Sequence, residues 1–223
     1  MSLKISNFKL GIGIPNTLLQ VYSAFFDSFI QMERPDFEYI TMKNGPIDDL
    51  RNRIVERALY LGCSHLLMLD VDQSYPIDTI TKLLKHNLPV VHGLVYRRYP
   101  NFDNLLYEGE PGKYTTKTNY KDGDLVEVDA CGTGCVLTNM QVFYKIKPPW
   151  YEFIPNPDKE KGGMIGEDIG MCIKLKKAGY KIFVDTSIKI THLTLFGVDE
   201  AFSTLYQSLL KRQQENNRMN RNE

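Results

Sequence analysis

The sequence predicts an α/β fold of the Rossmann-like kind, with a mostly parallel sheet and helices on both faces. Strand-like and helix-like patterns alternate through the first 95 residues. The run 66–69 is continuously apolar, which is typical of a strand buried on both faces of a parallel sheet. It ends in Asp70 and Asp72, and ligands of such sheets bind just beyond the carboxyl ends of the strands.

Composition favours one soluble domain. A chain of 223 residues is long enough for one α/β domain and short for two. The net charge of zero gives no sign of a nucleic-acid patch, and no apolar run approaches the roughly 20 residues that span a bilayer. Four cysteines without a Cys-x-x-Cys pair predict free thiols in a reducing, cytoplasmic setting.

We expect a single domain over residues 1–197, followed by a helix and a polar tail over residues 198–223. The helical spacing of Phe202, Leu205 and Leu209 makes this tail a candidate surface for homo-oligomerisation.

Strands and helices alternate regularly at first. Predicted strands at 8–14, 39–42, 65–69 and 89–94 are separated by predicted helices at 17–32, 46–61 and 76–85. This order implies right-handed crossovers and a parallel sheet. In the second helix, Arg51 and Asn52 lie off the apolar stripe, so they are expected at the surface or reaching towards a nucleotide.

Two glycines in the first strand suggest a dinucleotide loop, but the pattern is incomplete. Gly11 and Gly13 are present, whereas Asn16 stands where the third glycine belongs and Pro15 interrupts the turn. A dinucleotide loop is therefore disfavoured. Pro15 and Asn16 remain candidates for contact with a nucleotide ligand, because they follow the strand at the ligand edge.

The alternation stops over residues 96–124 and 148–163. These stretches are too long for plain connections, which indicates functional flaps. Arg97 and Arg98 open the first and could contact a diphosphate, an acceptor or only solvent. The second carries three aromatic residues expected to be exposed, able either to stack on sugar rings or to pack the loop down. These are Trp150, Tyr151 and Phe153, with Gly162 and Gly163 as a hinge.

Later motifs add further candidates. Predicted strands at 125–128 and 134–138 flank a turn in which Gly132 and Gly134 permit either a close ligand or a tight bend. Glu167 and Asp168 open a helix, and strand segments at 180–184 and 187–190 lead to His192. Two carboxylates such as Asp70 and Asp72 can converge on Mg²⁺ or Mn²⁺, although an acidic, solvated strand end is the plainer alternative.

The order of four motifs resembles the GT-A glycosyltransferases, most closely the family-2-like inverting enzymes. The motifs are Leu69-Asp70-Val71-Asp72, Cys131-Gly132-Thr133-Gly134, Gly166-Glu167-Asp168 before a helix closed by Ala178-Gly179-Tyr180, and His192. The resemblance covers roughly residues 8–195, most of the chain. Each motif is weak alone, and their order makes the set specific.

The resemblance implies a metal-dependent transferase of hexosyl type that moves a sugar from a nucleoside-diphosphate sugar, UDP-sugar first, to an acceptor hydroxyl with inversion. The acceptor would be a saccharide, a polymer or a modified macromolecule. Asp70-Val71-Asp72 corresponds to the family's DXD motif. The resemblance therefore implies Mn²⁺ or Mg²⁺ ligated by Asp72 and His192, with Asp70 beside the metal and the donor's ribose. Asp168 would be the general base with Glu167 as its neighbour, and the turn residues Gly132, Thr133 and Gly134 would contact the donor.

Two other functions stay open. A nucleotidyltransferase would share the sheet and the metal but needs a basic, glycine-rich loop after the first strand, and residues 13–17 contain no basic residue. A non-catalytic nucleotide-sugar-binding module would not need Asp72, Asp168 and His192 together.

Overall fold

The computed structural model describes residues 8–18 and 20–219. The described chain divides into two compact units, one ending at Leu193 and one beginning at Thr194. The predicted boundary at 197/198 lies close to this division. No helix in the described ranges is both long and apolar enough to cross a membrane.

The first half of the larger unit alternates strands and helices as predicted, except that a short strand, Gln73–Ser74, was not expected. The elements are β1 (Leu10–Asn16), α1 (Ser23–Gln31), β2 (Phe37–Lys43), α2 (Ile47–Tyr60), β3 (His65–Leu69), β4 (Gln73–Ser74), α3 (Thr79–Lys85) and β5 (Val90–Val95).

The second half is more irregular. It contains β6 (Leu106–Glu108), β7 (Thr115–Thr116), β8 (Leu125–Val128), β9 (Ala130–Cys131), β10 (Cys135–Asn139), α4 (Gln141–Lys145), β11 (Ile154–Pro155), β12 (Met164–Ile165), α5 (Glu167–Lys177) and β13 (Ile182–His192). The smaller unit contains α6 (Glu200–Met219), along which Leu205, Tyr206 and Leu209 are exposed.

The central sheet confirms the predicted fold class. Its strand order is β2-β1-β3-β10-β5-β13-β4, with β8 paired to β13. Neighbours β2, β1 and β3 run parallel, as do β5 and β13. The antiparallel strand β10 lies between β3 and β5, so these two strands are not direct neighbours. The two strands expected at 180–184 and 187–190 are one strand, β13, with a register shift between Asp185 and Lys189.

Two apolar layers cover the sheet, and β3 contributes to both. Leu66 and Met68 belong to the layer under α2, α4 and α5, whereas Leu67 and Leu69 belong to the layer under α1 and α3. All four side chains are buried. The continuous apolar run is therefore explained by burial on both faces, as expected.

The predicted start of the first helix and the predicted exposure of two aromatic residues are wrong. Helix α1 begins at Ser23 rather than at residue 17, which leaves Leu18 and Val21 exposed. Trp150 and Tyr151 are buried, because they pack the second irregular segment onto the layer that contains α2 and α5. Phe153 is exposed as expected.

The side chain of Asn52 fixes this buried segment. Its Oδ1 accepts the backbone N–H groups of Trp150 (2.8 Å) and Tyr151 (3.0 Å), and its Nδ2 donates to the carbonyl of Tyr151 (2.7 Å). One side chain thus satisfies three main-chain groups beside two buried aromatic residues, which is a structural role for Asn52.

Replacing Asn52 should therefore destabilise the protein. We expect Asn52→Ala to lower the free energy of unfolding by about 2–3 kcal/mol, since buried main-chain groups lose their partners. Urea denaturation would measure the change, with Asn119→Ala at an exposed position as the control. A loss no larger than that of the control would mean that water or the relaxed loop replaces these hydrogen bonds.

Candidate active site

The register of the sheet brings the predicted motifs to one edge. Strand β10 begins opposite the end of β3, with Cys135 paired to Leu69, so the turn 131–134 lies beside the DXD motif. The backbone N–H of Asp70 donates to the carbonyl of Gly134 at 3.1 Å. At the end of β13, His192 pairs with Gln73 of β4, next to Asp72. Motifs far apart in sequence therefore meet at the carboxyl ends of β3 and β13.

A cavity of about 920 Å³ opens at this edge. Its volume lies within the range of small-molecule sites. Charged and polar side chains from both halves of the larger unit line it, with several apolar residues: Pro15, Leu18, Arg51, Asp70, Asp72, Arg97, Arg98, Tyr107, Gly132, Phe153, Glu167, Asp168 and His192.

Asp72 and His192 form a close pair in this cavity. His192 Nε2 lies 3.3 Å from Asp72 Oδ2, and His192 Nδ1 lies 2.8 Å from the carbonyl oxygen of Tyr96. A carbonyl oxygen only accepts hydrogen bonds, so Nδ1 carries a proton and donates a hydrogen bond to the carbonyl of Tyr96. In a neutral imidazole the lone pair of Nε2 then faces the carboxylate of Asp72.

Two acceptors that face each other require positive charge between them. A proton on Nε2 meets this need in the free protein. Burial would lower the pKa of His192, but Asp72 and the Tyr96 carbonyl raise it. A divalent cation would meet the same need, and a ligating histidine commonly donates its other N–H to a backbone carbonyl. The geometry of Asp72 and His192 therefore fits a metal site.

Arg98 supplies further positive charge to Asp72. Its Nη1 donates to Asp72 Oδ2 at 2.6 Å, while about half of its side chain is exposed. Burial would raise the pKa of Asp72, but His192 and Arg98 together lower it. His192 and the half-exposed side chain of Arg98 thus favour the ionised carboxylate of Asp72.

Asp70 points to a different partner. Nη2 of Arg51 donates to both carboxylate oxygens of Asp70, at 2.9 and 3.1 Å. Nε of Arg51 donates to Glu167 Oε1 at 3.2 Å. Within residues 8–18 and 20–219, no three acidic, histidine or cysteine side chains gather closely enough to hold a metal by themselves. The structure therefore does not bring Asp70 together with Asp72 and His192 as a third ligand.

Arg51 is buried, against the expectation of a surface position. It lies one helical turn before Val55 and faces the same side of α2, so the buried face is wider than the stripe predicted from the apolar residues. Its guanidinium lies 5.7 Å from the centre of the Tyr151 ring. Burial alone would lower the pKa of Arg51, but Asp70 and Glu167 raise it.

Asp168 occupies the first turn of α5. Its Oδ1 accepts the N–H of Ile169 at 2.7 Å. Gly166 leaves room beside the carboxylate, because a Cβ at position 166 would lie 2.8 Å from Oδ1. Gly132 lies close by, and a Cβ there would make an ordinary contact with Oδ2 at 3.9 Å. Burial, followed by the charge of Glu167, raises the pKa of Asp168 to about 6. The group is thus poised to exchange a proton near neutral pH.

The other predicted site residues divide into two groups. Pro15 and Gly132 line the cavity, whereas Asn16, Asn52, Thr133 and Gly134 are not among its lining residues. A Cβ at position 134 would lie 2.0 Å from the amide nitrogen of Gln73, so this glycine admits a neighbouring side chain of the protein. Thr133 is buried in the turn.

Two contributors to the site gave little sequence signal. Tyr75 lies within hydrogen-bond distance of the carbonyl oxygens of Asp70 (2.8 Å) and Gly134 (2.9 Å), which ties the DXD motif to the turn. Tyr107 lines the cavity from the first irregular segment and accepts a hydrogen bond from Arg97 Nη2 at 3.0 Å. Only the proximity of Tyr75 to the DXD motif could have suggested either role.

Comparison with known proteins supports the fold. No family model matches the chain, and no curated protein does. Among solved structures, A197 from STIV is similar with a TM-score of 0.62 and 20% identity over 84% of this chain and 87% of A197. GalNAc-T7, crystallised with UDP, GalNAc and Mn²⁺, is similar with a TM-score of 0.59 and 11% identity over 84% of this chain. That match covers 44% of GalNAc-T7, so this chain spans less than half its length. These likenesses show a GT-A-like fold.

The raised pKa of Asp168 predicts a pH-dependent stability. The folded protein holds this proton more tightly than the unfolded chain, so the favourable contribution present below pH 4 is lost as pH rises through about 6. Asp168→Asn should therefore raise the free energy of unfolding by about 1–2 kcal/mol at pH 8, allowing for partial exposure, and by little at pH 4. Urea titrations in EDTA at both pH values test this, and an equal effect at both would contradict a raised pKa.

Proposed function

We propose that the chain is a metal-dependent, inverting glycosyltransferase. It would move a sugar, of hexosyl type, from a nucleoside-diphosphate sugar to an acceptor hydroxyl, with UDP-sugar as the first candidate donor. The observation that carries this proposal is the convergence of the Asp72–His192 pair and Asp168 on one cavity at the carboxyl edge of a GT-A-like sheet. GalNAc-T7, which shares this fold, binds UDP and Mn²⁺ in its crystal structure.

Asp72 and His192 would hold Mn²⁺ or Mg²⁺. Bound there, the metal would neutralise the charge that gathers on the leaving diphosphate. Two protein ligands suffice for this role, because such cations are commonly completed by substrate phosphates and water. Arg98, which contacts Asp72, would add positive charge beside the same phosphates.

Asp168 would act as the general base. Its carboxylate accepts the proton of the acceptor hydroxyl while that oxygen forms the new bond to the anomeric carbon. The bond from this carbon to the diphosphate oxygen breaks, and the leaving group carries away the electron pair. Attack on the face opposite the diphosphate inverts the anomeric configuration. A pKa of about 6 makes Asp168 ionised at neutral pH and still basic enough to accept a proton.

Arg51 would fix the position of the donor-binding side of the site relative to the side that carries the general base. It binds Asp70, which is proposed to contact the donor's ribose or base side, and Glu167, which precedes the base. Both contacts are made by one planar guanidinium that is 4% exposed, so its position is set by the protein core.

The first strand gives no support to a nucleotidyltransferase. A Cβ at Gly13 would lie 2.4 Å from a side-chain carbon of Ile54, and one at Gly11 would lie 3.1 Å from Cys63 Sγ. These glycines thus permit close packing of α2 and the loop after it on β1. They do not form a basic, glycine-rich cradle for a triphosphate.

The metal assignment predicts a specific loss in Asp72→Ala. The variant should fold, because Asp72 is at the cavity wall, yet its affinity for UDP in the presence of Mn²⁺ should fall by about 10- to 100-fold. Isothermal titration of UDP with and without Mn²⁺ would measure it. Asp122→Ala, which removes an exposed acid elsewhere, is the control. Unchanged Mn²⁺-dependent affinity would show that the metal binds elsewhere or is not used.

The base assignment predicts a catalytic loss with intact donor binding. Asp168→Asn should lower transfer by about 10²–10⁴-fold, the usual contribution of a positioned general base. Mn²⁺-dependent UDP binding should persist, because Asp72 and His192 are unchanged.

Glu167→Gln is the matched control and should cost less, since glutamine keeps an oxygen for Arg51 Nε. NMR of the product should show inverted anomeric configuration. Retention, or near-normal turnover of Asp168→Asn, would place the base elsewhere or assign a different reaction.

A further inference from the structure

We propose that a second cavity beside Asp168 binds the acceptor, and that this acceptor is an uncharged saccharide. This inference rests on the proposed glycosyl transfer and extends it to the substrate that the sequence motifs do not identify. The cavity has a volume of about 440 Å³ and is lined by Arg97, Tyr107, Gly112, Tyr114, Asn156, Ile165, Gly166 and Ile169.

The second cavity adjoins the first on the side of the general base. Arg97, Tyr107, Gly166 and Ile169 line both cavities. Gly166 and Ile169 flank the Glu167–Asp168 pair on the chain, and the N–H of Ile169 donates to Asp168 Oδ1. Asp168 itself lines the first cavity, so a molecule that extends from the second cavity into the first would bring a hydroxyl group next to the carboxylate that would deprotonate it.

Both irregular segments contribute to the cavity, and they contact each other. Gly112, with a φ of +85°, brings the first segment so close to the second that a Cβ would lie 2.7 Å from Asn156 Oδ1. Lys161 Nζ donates to the carbonyl of Gly112 at 3.0 Å. The segments that interrupt the strand–helix alternation therefore cooperate in one binding wall. This gives them a common role.

Aromatic rings supply the recognition surface. The ring centres of Tyr107 and Tyr114 lie 6.2 Å apart with the planes inclined at 39°. Flat rings present apolar faces, and the axial C–H faces of a pyranose are apolar while its rim is hydroxylated. Asn156 Oδ1 already accepts the N–H of Asp158, so its Nδ2 is the group available to donate to a ligand.

Charge points to a neutral ligand. Among the described residues that line the second cavity, Arg97 is the charged one, and it is paired with Asp103 at 2.8 Å. Its Nη2 is also engaged by the hydroxyl of Tyr107. Among the described residues that line this cavity, a phosphorylated or carboxylated acceptor would meet only a cation that is already paired, whereas a saccharide needs none.

Saccharide binding can be measured without donor chemistry. Saturation-transfer NMR with methyl glycosides of common hexoses and N-acetylhexosamines, and with lactose and maltose, would detect weak binding to the wild-type chain. We expect at least one of these probes to bind. Tyr114→Ala should weaken that binding by about tenfold, whereas Tyr114→Phe, which keeps the ring, should stay within about twofold. Tyr144→Ala, at an exposed tyrosine on α4, is the control.

Donor binding separates this inference from the proposed function. Mn²⁺-dependent UDP affinity should be unchanged in all three variants, because Tyr114 lines only the second cavity. Should Tyr114→Ala fail to fold, Tyr114→Leu retains apolar bulk without the flat ring and should lose saccharide binding similarly.

Failure of every probe to bind the wild type, or equal binding by the variants without the ring, would overturn the acceptor subsite. Saccharide binding that depends on the Tyr114 ring, in a chain without Mn²⁺-dependent UDP binding, would uphold the saccharide site and overturn glycosyl transfer.

Discussion

The site depends on the ion pairs that the buried guanidinium of Arg51 makes with two carboxylates. The guanidinium connects α2 to the end of β3 through Asp70 and to the start of α5 through Glu167. Burying charge is costly unless every ion is paired and hydrogen-bonded, so removing one partner of such a network leaves an uncompensated charge. The next residue, Asn52, fixes the backbone beside Tyr151, whose ring faces the same guanidinium. The first turns of α2 thus position both carboxylate motifs and the segment that covers them.

The antiparallel strand β10 positions part of the main chain of the site, namely the turn that precedes it. Since it enters the sheet between β3 and β5, the turn before it returns to the edge where β3 ends. A purely parallel arrangement would have placed that turn elsewhere and brought β5 directly beside β3. In the structure, Gly132 instead reaches the wall of the cavity and lies near Asp168. Tyr75 then joins the carbonyl oxygens on both sides of this junction.

The sequence predicted those features that leave a periodic or compositional pattern. The apolar run before Asp70 is a strand buried on both faces, and the α/β class follows from alternation. Burial of Arg51 and Trp150 could not be predicted in this way, because it depends on contacts between separate elements, such as Arg51 with Glu167 and Trp150 with Asn52. The same holds for Asp70, whose proximity to Asp72 in sequence suggested a shared metal. The chain turns after Leu69, so the two side chains have different partners: Arg51 binds Asp70, whereas His192 and Arg98 contact Asp72.

The charges around the cavity explain why Asp168 differs from its acidic neighbours. Asp70 and Glu167 share Arg51, Asp72 contacts Arg98 and His192, and Arg97 is engaged by Asp103. Within the described part of the chain, no ion pair involves Asp168, which instead accepts one backbone N–H beside Glu167. Burial and a neighbouring negative charge then raise the pKa of Asp168, while His192 and Arg98 lower the pKa of Asp72. The environment thus separates two kinds of carboxylate within one cavity: paired ones suited to binding, and one suited to accepting a proton.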